Sequence, residues 1–125
     1  MKIEKTEFGE VEVWTPEEVT RRRGEIVLID VRTPQEHALE RIQGALLMAL
    51  QEFRPDYLPG QEGKRLVLHC GSGVRSGKAA ALCLKAGVKQ IAHMEGGLAA
   101  WKEDGLDYTG TDLATGAPRT MRKGG

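Results

Sequence analysis

The amino-acid sequence predicts an α/β domain built on a mainly parallel sheet. Three observations lead there: short unbroken runs of Val, Ile and Leu recur along the chain, segments with helix caps alternate with them, and the connections between the two are short. An unbroken apolar run suits a strand buried on both faces, and such strands separated by helices give a parallel sheet. At 125 residues the chain has the size of one domain and can bury a core without metal or disulfide staples.

The elements follow in chain order. The N-terminal "MKIEKTEFGEVEVW" alternates charge with isolated apolar residues, which is not the continuous apolar core of a secretory leader. "WTPEEVTRRRG" reads as a complete short helix, with Thr15 as N-cap, Pro16 at the first helical position, Glu17 and Glu18 in the first turn and Gly24 as the stop. "EIVLIDVR" gives a buried strand over residues 26–29, with Asp30 at its C-terminal end. A second capped helix starts at Thr33 in "TPQEHALE", a second short strand spans residues 45–48, and residues 51–63, with two prolines and two glycines, form an irregular connection. "RLVLHC" is a third buried strand, "RSGKAAALCLKAG" a helix closed by Gly87, "VKQIAHM" a fourth strand and "GGLAAWKEDG" a short helix ended by Gly105. The domain is expected over residues 1–108, with 109–125, rich in Thr, Gly, Ala, Pro and basic residues, as a flexible C-terminal tail.

Composition narrows the function. Hydrophobic residues make up 40% and charged residues 29% of the chain, and no apolar run approaches the roughly 20 residues of a membrane span. No membrane partner is expected, and the location expected is the cytoplasm. Cys70 and Cys83 are too few for a disulfide framework and are expected as free thiols. Residues 1–62 carry 8 basic and 13 acidic side chains and residues 63–125 carry 10 and 5, so the glycine-rich loop after the third strand lies in the basic half, where small anions would be drawn. No Lys/Arg cluster is interleaved with aromatics, which argues against a nucleic-acid partner. Arg21, Arg22 and Arg23 read as the solvated end of a helix. His37, His69 and His93 lack metal-ligand spacing with either cysteine, so no metal is expected.

Asp30 and Cys70 both close strands at the end of the sheet where α/β folds bind ligands. The loop "CGSGVRSGK" is not a Walker motif: Ser72 stands where the first Gly belongs and Ala79 replaces the metal-holding hydroxyl. It is not a dinucleotide fingerprint either, because Ser76 takes the third glycine's place. A nucleophilic thiol accounts for more of the residues. A helix N-terminus and a nearby cation favour the thiolate, and Cys70 has both. Gly71, Gly73 and Gly77 let the backbone curl its N–H groups inward as an anion nest. Arg75 offers a planar fork for an oxyanion, and Ser76 a hydroxyl able to cap the helix and donate to a bound group. Cys83, beside Leu82 and Leu84 on the following helix, reads as core, and Trp101 as packing for the closing helix.

Cys70-Gly-Ser-Gly-Val-Arg75-Ser76 resembles the Cys-x-x-Gly-x-Arg-Ser active loop of the rhodanese family of sulfurtransferases. "LIDVR" is similar to that family's first signature, "ERIQGAL" to its Gly-His-Ile-x-Gly-Ala stretch and "HMEGGLAAW" to its closing Gly-Gly-x-x-x-Trp motif, in the family's order over roughly residues 10–105. The resemblance implies a single-domain, three-layer fold with helices on both faces of the sheet. It implies that Cys70 carries a sulfane sulfur as a persulfide, moved from a small donor (thiosulfate or a persulfide) to a thiol or protein acceptor. Gly71, Ser72, Gly73, Val74, Arg75 and Ser76 would bind the substrate. Asp30 would lie under the loop and hold Arg75 or a loop amide, with Arg32 in support. No metal or organic cofactor is implied, and a monomer or homodimer is expected. Glu40-Arg41 replaces the family's Gly-His, Leu47-Met48-Ala49 its Asn-Ile-Pro-like continuation, and the loop carries one cation where some thiosulfate-using relatives carry two. Two alternatives stay open. One is a non-enzymatic persulfide carrier or regulatory module. The other is a Cys-dependent phosphatase or arsenate reductase, whose His-Cys-x5-Arg loop has one residue more than separates Cys70 from Arg75. The terminal Gly124-Gly125 is similar to sulfur-carrier tails but reads as a loose end.

Overall fold

The computed structural model describes residues 1–61 and 63–122; Gly124-Gly125 lies outside the described residues. Strands β1 (Lys2–Thr6) and β2 (Gly9–Trp14) form an antiparallel hairpin. Helix α1 (Pro16–Arg21) starts in a capping box between Thr15 and Glu18, with Pro16 in the first turn, and leads through a 3-10 turn into β3 (Ile26–Asp30). Helix α2 (Pro34–Leu39) repeats the device with Thr33 and Glu36. Two-residue strands β4 (Glu40–Arg41) and β5 (Leu46–Leu47) follow, then two 3-10 turns and β6 (Arg65–His69). Helix α3 (Val74–Lys85), β7 (Ala92–Met94), α4 (Gly97–Glu103), β8 (Tyr108–Thr111) and β9 (Pro118–Met121) complete the chain.

The main sheet runs β1-β2-β7-β6-β3-β5, parallel except for the β1–β2 pair. Successive residues of its inner strands feed two cores. Leu66 and Leu68 join Ile29, Ala79, Ala80 and Cys83 on the α3 face, while Val67 joins Leu28, Trp14, Val19, Leu98 and Trp101 on the face of α1 and α4. Double-sided burial is why the sequence shows unbroken apolar runs here, and each such side chain contributes about 1.5–3 kcal/mol on leaving water. The result is three layers, with helices on both faces.

Four expectations change. The N-terminal hairpin was not expected: the period-two pattern of "GEVEVW", a half-buried strand signal, puts Val11 and Val13 inward and charges outward. The second predicted strand shrinks to Leu46–Leu47 at the sheet edge, where both side chains stay exposed. "VKQIAHM" pairs only over Ala92–Met94. The segment from residue 109, expected as a loose tail, joins a second sheet ordered β4-β8-β9. Its hairpin turns at Asp112, whose carbonyl accepts from Gly116 N–H (2.6 Å) and whose side chain accepts from Ala114 N–H (2.9 Å), and Arg122 clasps Asp107 at 2.7 and 2.9 Å. Among the described residues no helix is long and apolar enough to cross a membrane.

Candidate active site

Cys70 follows β6 directly, at the C-terminal edge of the parallel sheet, and its side chain is fully buried. Gly73, the N-cap of α3, has φ +101°, a left-handed conformation that glycine takes without strain. That turn brings the Gly73 N–H to 3.0 Å from Cys70 Sγ. The Ser76 hydroxyl lies 3.6 Å from the same sulfur. Burial opposes ionisation of the thiol, but the Ser76 hydroxyl and the amides of Ser76, Ser72 and Gly73 outweigh it and take the pKa below its ordinary value.

The outer side of the loop is held by α4. Gly96 and Gly97, at φ +72° and +60°, bring that helix start so close that a Cβ on Gly97 would sit 2.4 Å from the Cys70 carbonyl oxygen. The Leu98 and Ala99 N–H groups then donate to the carbonyls of Cys70 (2.8 Å) and Gly71 (3.0 Å). His69 Nδ1 donates to the Cys70 carbonyl at 3.1 Å as well. In a trans peptide C=O and N–H point opposite ways, so drawing these carbonyls towards α4 turns the amides of Gly71 and Ser72 towards the sulfur side. The closing Gly-Gly thus acts on the nest from outside it.

Asp30 does not hold Arg75 or a loop amide. Its Oδ1 accepts from the Arg32 backbone N–H (2.9 Å) and Nε (3.0 Å), and its Oδ2 from Arg32 Nη2 (2.8 Å) and His37 Nδ1 (2.8 Å). Arg32 folds back on the carboxylate two residues before it and saturates it, so nothing remains for the loop. Burial alone would raise the Asp30 pKa; Arg32, with His69 and His37 nearby, holds it below the ordinary carboxylate value. Arg75 instead forms a bidentate pair with Glu36, at 2.6 and 2.9 Å, the carboxylate that also closes the α2 capping box. Arg75 brings Glu36 down to about 2. An anionic ligand would have to compete with Glu36 for that fork.

Ser76 lies within the first turn of α3 and does not cap it. Its hydroxyl is fully buried, 2.8 Å from His93 Nδ1 and 3.3 Å from the Gly73 carbonyl. Val74 is exposed at the rim. A cavity of about 260 Å³ opens beside Arg75, lined also by Val31, Arg32, Thr33, Ala49, Leu50 and Gln51. Cys83 is buried on the inner face of α3, and burial pushes its thiol up to about 12. The structure places Cys70 next to Gly73 and Ser76 of the loop named from the sequence, and it adds Glu36, His37, His69 and His93, which were not singled out for the site. Glu36 sat unremarked inside the helix that starts at Thr33, and nothing in a spacing of 39 residues links it to Arg75; His69 and His93 looked like ordinary strand ends.

The sequence profile of the rhodanese-like domain matches residues 15–104. An uncharacterized protein of Synechocystis sp., slr1261, is 45% identical over 94 residues, covering 75% of this chain and 52% of that protein. A sulfurtransferase of Allochromatium vinosum is 34% identical over 84 residues, 66% of this chain and 77% of the relative. A tRNA uridine(34) hydroxylase of Deinococcus radiodurans is 30% identical over 86 residues, 64% of this chain and 29% of the hydroxylase. The match therefore spans about half of slr1261 and under a third of the hydroxylase. Among solved structures, a rhodanese-related protein of Thermoplasma volcanium superposes with TM-score 0.69 at 22% identity, over 78% of this chain and 96% of that one. A protein of unknown function from Rhodopseudomonas palustris, described as a possible tyrosine phosphatase, gives 0.63 at 26% identity, over 75% and 81%.

Proposed function

The chain belongs to the rhodanese-like domain family, and from that premise we propose that it is a sulfurtransferase that passes a sulfane sulfur through a persulfide on Cys70. The observation that carries this reading is the Cys70 sulfur, buried at a helix N-terminus with the Gly73 amide at 3.0 Å and its thiol pKa drawn down by surrounding donors. The thiolate attacks the outer sulfur of a donor. With thiosulfate the new bond joins Sγ to that sulfur, the S–S bond of the donor breaks, and sulfite leaves with its electron pair. The amides of the nest stabilise the negative persulfide, and an acceptor thiol or cyanide attacks its outer sulfur and returns Cys70 to the thiolate. The named sulfurtransferase relative supports the same class of chemistry.

A second reading, a persulfide carrier that works inside a complex, is favoured by the Arg75–Glu36 pair, which occupies the cation a small anionic donor would use. Phosphatase chemistry has less support. The residues between Cys70 and Arg75 number one fewer than in the tyrosine phosphatase loop, so the ring of amides suits a single sulfur better than a tetrahedral phosphoryl group. Steady-state assays with thiosulfate and cyanide, beside assays with aryl phosphates, separate the three. Thiocyanate production supports the enzyme, a loaded but slowly discharging Cys70 supports the carrier, and phosphate release without thiocyanate sinks both.

A further inference from the structure

We propose that His93 is a positioning residue for Cys70: neutral, with its proton on Nδ1, it donates to the Ser76 oxygen and turns the hydroxyl's own proton towards the Cys70 sulfur. This rests on the reading of Cys70 as the reactive thiolate.

Three polar atoms follow one another at hydrogen-bond distances. His93 Nδ1 is 2.8 Å from Ser76 Oγ, and Ser76 Oγ is 3.6 Å from Cys70 Sγ, within the range of a hydrogen bond to sulfur. Ser76 and Cys70 are fully buried and His93 almost so, so water does not decide the arrangement. A serine hydroxyl has one proton to give and two lone pairs. Its three acceptors in reach are Nδ1, the Gly73 carbonyl at 3.3 Å and the sulfur. Which one receives the proton follows from the imidazole. A bare Nδ1 at 2.8 Å takes it, and the sulfur is left without it. A protonated Nδ1 donates instead, and the hydroxyl is free to turn to the thiolate, or to the Gly73 carbonyl when the sulfur is uncharged.

The far side of the ring settles the choice. His93 Nε2 is buried without a hydrogen-bond partner among the described residues. A proton there would be a buried donor with no acceptor, and an orphaned N–H is rarer than an underused acceptor. A proton on Nδ1 gives two bonds in series, the second charge-assisted and therefore the stronger kind. The ring stays neutral because burial lowers its pKa, against the opposing pull of Glu4 on β1 and Glu95 just after β7. From α3 it meets Gly77, where a Cβ would lie 3.6 Å from Cε1, and the Ser76 hydroxyl.

The experiment titrates the Cys70 thiolate by its ultraviolet absorbance in the full-length chain, with Cys70→Ser as the baseline; Cys83, at about 12, stays out of the window. His93→Phe and Ser76→Ala should each raise the Cys70 titration midpoint and slow its alkylation at neutral pH severalfold. The double variant should go no further than the larger single effect, because His93 acts through Ser76. His93→Asn, whose side-chain N–H can stand in for Nδ1–H, should restore most of the shift. Additive effects, or an unmoved midpoint in His93→Phe, overturn the proposal. Should His93→Phe not fold, long-range nitrogen NMR of the wild type decides. A protonated Nδ1 and a bare Nε2 on His93 uphold the proposal, and the reverse tautomer overturns it. A shifted midpoint with no sulfur loading in the wild type would count against the sulfurtransferase reading alone.

Discussion

Two carboxylates near the Cys70 loop do opposite jobs, and their burial tells them apart. Asp30 is fully buried and neutralises Arg32, itself 4% exposed. Replacing one partner of such a pair strands the other's charge, so Asp30→Asn should cost about 3–5 kcal/mol of stability, measured by urea denaturation, with the Arg75–Glu36 pair intact. Glu36 is half-exposed and holds Arg75 at the mouth of the loop. Glu36→Gln should free the guanidinium and lower the KM for thiosulfate severalfold with kcat little changed; an unchanged KM would show that Arg75 does not meet the donor. The pair also sets an acid limit. A carboxylate whose folded pKa is depressed from 4.5 to about 2 contributes its stability in full only above its unfolded value and loses it as pH falls towards 2. A pH series of denaturation midpoints should show that acid loss in the wild type and a smaller one in Glu36→Gln. Arg32 was expected in support of Asp30, but the Arg75–Glu36 pair was not legible from residue types, because the two meet only where α2 comes up to the loop.

At the level of elements, the loop is a strand end, a helix start and a second helix pressed on them. "RLVLHC" and the run over residues 26–29 were legible as buried strands because each is covered on both faces, and Thr15 with Pro16, and Thr33, marked the starts of α1 and α2. The role of α4 was not legible. "EGGLAAW" announces a turn and a helix, but only the structure places the Leu98 and Ala99 amides on the Cys70 and Gly71 carbonyls. Gly97→Ala tests that contact, since the new Cβ meets the Cys70 carbonyl oxygen at 2.4 Å and the residue already sits at φ +60°. A cost of about 1–3 kcal/mol is expected from overpacking, together with a raised Cys70 titration midpoint as the carbonyls are pushed off α4. A variant that loses stability but keeps the midpoint would remove α4 from the account of the nest.

For the whole molecule, the two hairpins are what the sequence concealed. The first hid in an alternation of charged and isolated apolar residues, and the second in a Thr- and Gly-rich stretch whose strands are drawn in by β4. Shortening the chain to end at Thr111 removes β9, which packs Met121 over Gly110 and places Arg122 against Asp107. A loss of about 1–2 kcal/mol is expected, the scale of one partly buried side chain and a few ladder bonds, with sulfur loading kept because among the described residues β8 and β9 pair with β4 and each other, away from the Cys70 loop. An unchanged denaturation midpoint would show that the second hairpin does not stabilise the domain. The rest of the fold converges on one point, the C-terminal edge of the sheet where β6 hands the chain to α3. The central claim is that a single sulfur atom rides on Cys70, and intact mass measurement after incubation with thiosulfate tests it most directly. The account predicts a gain of one sulfur atom in the wild type, lost again on adding cyanide and absent in Cys70→Ser. An unmodified wild type, or a Cys70→Ser variant that takes up the sulfur, would contradict it.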